Sequence, residues 1–95
     1  MSSYEIVFIV SPEVTDEEVP TTVDKVSESI NRIGGTVTEI KQWGRRKLSY
    51  PIKRFIEGNY VLVRFELEPV LAKELEANLR RSEEVVRHLL IRLED

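Results

Sequence analysis

The sequence predicts an α+β fold of order β-α-β-β-α-β, a four-stranded antiparallel sheet with two helices on one face. Three observations carry that prediction. Four stretches are rich in β-branched and aromatic residues: YEIVFIV, TVTEIKQW with RRKLSYPI, YVLVRFELE and VVRHLLIRL. Two stretches between them repeat apolar residues at steps of three and four. Glycine or proline stands at most of the joints. The 95 residues are enough for one small domain with a modest core, so a single domain over 1–95 is expected.

Tyr4 to Val10 reads as a buried strand closed by Ser11-Pro12. Thr15-x-x-Glu18 has capping-box spacing, and Val19, Val23, Val26, Ile30 and Ile33 then form one helical stripe. Pro20 is tolerated only in a first turn, so the regular helix is expected from about that residue. Gly34-Gly35 supplies the helix stop.

Thr36 to about Ile52 is strand-like, with a bulge or bend expected at Gly44. Pro51 cannot donate to a central ladder, which puts this strand at an edge. Gly58-Asn59, within KRFIEGN, is taken as the hairpin turn before the third strand. Pro69 opens a second helix with Leu71, Ala72, Leu75 and Leu79 as its stripe, and Arg80 and Arg81 complement its dipole. The last strand follows.

This order is the ferredoxin-like arrangement, in which right-handed crossovers place both helices on the same side of the sheet. Alternation points Ile6, Phe8, Val10, Val61, Val63, Phe65 and Leu67 at the helices. Tyr60, Leu62, Arg64 and Glu66 are left on the other face, which bears Val7, Ile9, Leu62 and one of Leu89 or Ile91 and is more apolar than solvation requires.

Several classes of chemistry are disfavoured. The chain has no cysteine and one histidine, which removes disulfides, thiolate metal sites and most imidazole zinc sites. The amino-terminal apolar run is too short for a membrane span and lacks a basic flank, so a cytoplasmic protein without membrane partner is expected. His88 reads as a partly exposed strand residue without an orienting carboxylate in sequence. There is no G-x-S-x-G and no phosphate-cradling glycine loop. The paired acids Glu17-Glu18 and Glu83-Glu84 suit helix ends and solvent. An acylphosphatase would need an arginine in a glycine-rich loop after the first strand, where this chain has SPEVTDEE. An RNA-recognition motif would place a glycine and a central aromatic where Asn59 and Leu62 stand. No enzyme, cofactor, metal or small-molecule substrate is expected.

Charge is segregated. Residues 1–40 hold 2 cations and 8 anions, whereas residues 41–64 hold 7 cations and 1 anion, inside a chain of net charge −3. The island centres on WGRRKLSYPIKR, residues 43–54. Arg45, Arg46, Lys47, Lys53 and Arg54 are candidate phosphate ligands, with Trp43 and Tyr50 as stacking or packing surface. The same cations would also serve merely to keep an edge strand from pairing, and charge alone leaves both readings open.

The order of residues adds to this. GRRKLSYPIK, Gly44 to Lys53, resembles the signature of the family of the sixth protein of the bacterial small ribosomal subunit. Tyr4-Glu5, Gly34-Gly35, Gly58 and VVRHLLIR fall at that family's spacings. The resemblance implies a structural ribosomal protein binding 16S ribosomal RNA as a heterodimer with the eighteenth small-subunit protein. It implies RNA contacts at Tyr4, Arg87 and Arg92 besides the island. Trp43, Leu48, Tyr50 and Leu62 are the candidate partner residues. Ser2 and Ser3 stand where some members are basic, so part of an amino-terminal RNA contact is expected to be missing, and the sequence stops at Asp95 where many members continue into a tail that can touch the partner. A net acidic chain should bind RNA weakly alone and strongly only beside a basic partner. The alternative from another class is a homodimeric regulatory or ligand-binding domain that buries its open sheet against a copy of itself.

Overall fold

Residues 1–93 are described by a computed structural model. In chain order they form β1 (Ser2–Val10), α1 (Val19–Arg32), β2 (Thr36–Ile52), β3 (Phe55–Leu67), a 3-10 turn (Pro69–Leu71), α2 (Ala72–Arg81) and β4 (Val85–Arg92). The sheet order is β2-β3-β1-β4, with every neighbouring pair antiparallel. The expected ferredoxin-like α+β arrangement is therefore the observed one.

Alternation assigns the core as expected. Ile6, Phe8 and Val10 from β1 and Val61, Val63, Phe65 and Leu67 from β3 are buried together with Val19, Val23, Val26 and Ile30 of α1 and Leu75 and Leu79 of α2. Both helices thus share one face of the sheet. Thr22 joins them, fully buried, because its hydroxyl donates to Glu84 Oε2 at 3.0 Å. Lys25 reaches the other oxygen of Glu84 at 3.0 Å, and with the Thr22 hydroxyl it holds that carboxyl below its usual value. This ties α1 to the entry of β4.

Local signals held in part. Gly34 has φ +95°, its N–H bonds to Asn31 O, and Gly35 N–H bonds to Ile30 O, the double closure of a left-handed helix stop. The capping box does not form: Thr15 Oγ1 donates to the Glu18 carboxylate at 3.1 Å, residues 16–18 make a turn, and the helix begins at Val19. Pro20 lies in its first turn, where no intrahelical donor is lost. The sheet register slips at Gly44, as expected of a bulge, and β2 is an edge strand, which accommodates Pro51.

The hairpin turn is not at Gly58-Asn59. It falls on Lys53 and Arg54, with Lys53 at φ +58° and Ile52 paired to Phe55. Gly58 and Asn59 lie inside β3, opposite Arg46 and Arg45. Gly58 is small for a packing reason: a Cβ there would sit 2.5 Å from Ile9 Cγ2 and 2.8 Å from the Val10 carbonyl oxygen. Alanine ordinarily favours a strand over glycine. Gly58→Ala is nevertheless expected to destabilise by about 1–3 kcal/mol through overpacking. Chemical denaturation of the variant checks this, and a gain in stability would show that β1 yields freely.

Two candidate site residues need correction. Tyr4 is 5% exposed and stacks on Phe65, ring centroids 5.6 Å apart. It shares the inward parity of Ile6 and Phe8, so it is a core residue and not an RNA-facing one. Leu62 is on the open face but only 6% exposed, because central strand β3 has neighbours on both sides, Val7 and Lys41 among them. It supports that face and offers a partner little surface.

Candidate nucleic-acid and partner interface

The distal part of the β2–β3 hairpin shapes the site. Pairing is regular to Lys47–Glu57 and then breaks until Ile52–Phe55. Residues 48–51 are thereby released from the flat ladder. Strands are spaced about 4.8 Å apart, so edge strands β2 and β4 are separated by about 14 Å. Tyr50 of β2 nevertheless accepts a hydrogen bond from Arg87 Nη1 of β4, whose guanidinium is 6.0 Å from the tyrosine ring centroid. The hairpin end therefore folds across the open face. Beneath it lies a cavity of about 350 Å³ lined by Val7, Ile9, Leu48, Tyr50, Ile52, Tyr60, Arg87 and Leu89, among others.

The apolar surplus on this face is confirmed in place. Leu89 is 60% exposed, Tyr50 57% and Ile91 42%. Trp43, at the bulge, is also exposed, with the Arg46 guanidinium 5.9 Å from its ring centroid. Leu48 and Ile52 are half-buried. Trp43, Leu48 and Tyr50 thus lie on one hairpin, and Leu89 and Ile91 extend its surface onto β4.

The charge of the island is answered in part from within. Arg45 is held between Asp16 (3.1 Å) and Glu57 (3.0 Å), and Asn59 adds a hydrogen bond to Asp16 at 3.4 Å. The Arg45 hydrogen bond, followed by that of Asn59, keeps the Asp16 carboxyl below its ordinary value, and Asp16 and Glu57 push the Arg45 guanidinium further up. Arg54 pairs with Glu13 at 2.9 Å and lies 4.7 Å from the Phe55 ring centroid. Lys41 pairs with Glu39, and Arg64 bridges Glu5 and Glu39. Among the described residues, Arg46, Lys47 and Lys53 make no ion pair. Of the two cations expected on β4, Arg87 is engaged with Tyr50, and Arg92 donates to Ser2 Oγ at 2.8 Å.

Sequence reading did not find these counter-ions. The acidity of SPEVTDEE was legible, but only the fold brings that loop beside the hairpin, 29 positions away for Asp16–Arg45 and 41 for Glu13–Arg54. His88 also gains an unforeseen partner: its Nε2 is 3.0 Å from Glu76 Oε1, joining β4 to α2. No group of three or more potential metal ligands occurs among the described residues, and no helix there is long and apolar enough to cross a membrane.

Comparison with known proteins agrees with this geometry. The small ribosomal subunit protein bS6 of Clostridium acetobutylicum is 43% identical over 94 residues, covering 99% of both chains. That of Moorella thermoacetica is 40% identical over 95 residues, covering 100% of this chain and 97% of the other. The crystal structure of 30S ribosomal protein S6 from Thermotoga maritima superposes with a TM-score of 0.90 at 33% identity, covering 97% of this chain and 87% of that one. A chain from the complex of the chemotaxis kinase CheA P2 domain with response regulator CheY, from the same organism, shares the fold alone, with a TM-score of 0.62 at 12% identity. The sequence model described as ribosomal protein S6 matches residues 3–92, nearly the whole length. Matched over nearly its whole length by that sequence model and by relatives at 40% identity and above, the chain belongs to the ribosomal protein S6 family.

Proposed function

We propose that this chain is a structural constituent of the small ribosomal subunit, acting as one domain in the cytoplasm and binding 16S ribosomal RNA together with the eighteenth small-subunit protein. The observation that carries the reading is the pairing of family membership with the hairpin's composition: Arg46, Lys47 and Lys53 have no carboxylate partner among the described residues and lie beside exposed Trp43 and Tyr50. Those three cations are the first candidates for phosphate, with Arg87 and Arg92 following. Trp43, Leu48 and Tyr50, joined by Leu89 and Ile91, are the partner surface.

Net charge supports a division of labour. A chain at −3 can neutralise few phosphates, so a basic partner supplies the rest. The affinity of the chain for a 16S fragment, measured with and without the eighteenth protein, is expected to rise at least tenfold in its presence. Equal affinities would sink cooperative assembly. A stable homodimer in sedimentation, with no RNA binding in either condition, would favour the regulatory alternative.

A further inference from the structure

We infer that the acidic loop between β1 and α1 is a built-in competitor for RNA: Glu13 and Asp16 occupy, at Arg54 and Arg45, the positions that phosphates would take. The inference rests on the RNA-binding reading and names what limits the affinity of the chain alone.

Arginine recognises carboxylate and phosphate through the same planar fork of N–H donors, so a carboxylate at about 3 Å blocks the ligand it imitates. Arg54 has Glu13 at 2.9 Å, and Arg45 has Asp16 at 3.1 Å with Glu57 at 3.0 Å on another nitrogen. Asn59 reaches Asp16 from β3, so the loop is held against the hairpin by more than charge. A phosphate approaching Arg45 meets two carboxylates already on the guanidinium. Two of the five cations in residues 43–54 are thereby withheld.

The hold is reversible. The side chains of Glu13, Asp16 and Arg54 are all more than 60% exposed, and exposed ion pairs are weak and screened by salt. A partner that raises the local concentration of RNA would let phosphates displace them. The loop thus suppresses binding to stray RNA while leaving the full basic surface available in the assembly.

The test compares two doubly neutralised variants of equal net charge. Glu13→Gln/Asp16→Asn removes the competitor. Asp24→Asn/Glu74→Gln removes two exposed carboxylates that make no contact with the hairpin cations. Affinity for a 16S fragment, chain alone, is expected to rise about tenfold in the first variant. Its log-log salt dependence should steepen by about 0.7–0.9, the increment for one more phosphate neutralised at Arg54, because Glu57 stays 3.0 Å from Arg45. The control should gain much less. Equal gains would reduce the effect to bulk charge, and no gain in the first variant would overturn the competition; either result rejects the inference. Wild-type binding with the partner present is measured alongside. If it occurs, a failed gain rejects the competition alone; if it does not, the RNA-binding reading fails as well.

Discussion

Replacing Phe65 by alanine is expected to lower stability by about 3–5 kcal/mol, among the largest effects of a single side chain in this fold. Phe65 is 1% exposed on a central strand, paired to Tyr4 of β1 and Val37 of β2. Its loss removes a ring from water-free packing and leaves the stacked Tyr4 ring facing a void. A domain of 95 residues has about 5–14 kcal/mol in total, so the variant should be marginal near 37 °C. Urea unfolding should give a lower midpoint with unchanged slope. Tyr4→Ala should resemble it, because Tyr4 belongs to the same cluster. A Tyr4→Ala variant of wild-type stability would instead return Tyr4 to the surface and restore it as an RNA candidate.

The architecture was legible because its signals are local. Alternation along YEIVFIV and YVLVRFELE names the core residues, and the stripe from Val19 to Ile30 names the face of α1. What failed was any signal whose cause lies elsewhere in the chain. Gly58-Asn59 has the composition of a turn, yet Gly58 is small because β1 passes too close for a Cβ. The true turn carries positive φ on Lys53, a residue whose sequence gives no such hint. The site divides in the same way. The cations of the island were evident from composition, but which of them are already paired depends on a loop that packs beside them only after folding. Tyr4 was placed by resemblance at an RNA surface, while its own parity with Ile6 and Phe8 pointed inward.

Leu89→Asp is expected to weaken partner binding by about thirtyfold or more while leaving the fold intact. Leu89 is 60% exposed on edge strand β4 and lines the cavity beneath the hairpin. Its Cα partner on the open face is Val7. Substitution at so exposed a position costs the folded state within about 0.5 kcal/mol. In a complex the carboxylate would be buried against apolar groups without a partner, and losses at the centre of such interfaces reach about 2 kcal/mol and beyond. Val70→Asp serves as control, because Val70 is 83% exposed on the 3-10 turn and outside the open face. If Leu89→Asp unfolds at the wild-type midpoint and loses the eighteenth protein, RNA affinity of the mixture should fall to that of the isolated chains. If the partner binds both variants equally, the open sheet is not the surface it uses. The apolar excess around Tyr50 and Leu89 would then have to be explained by another contact within the subunit.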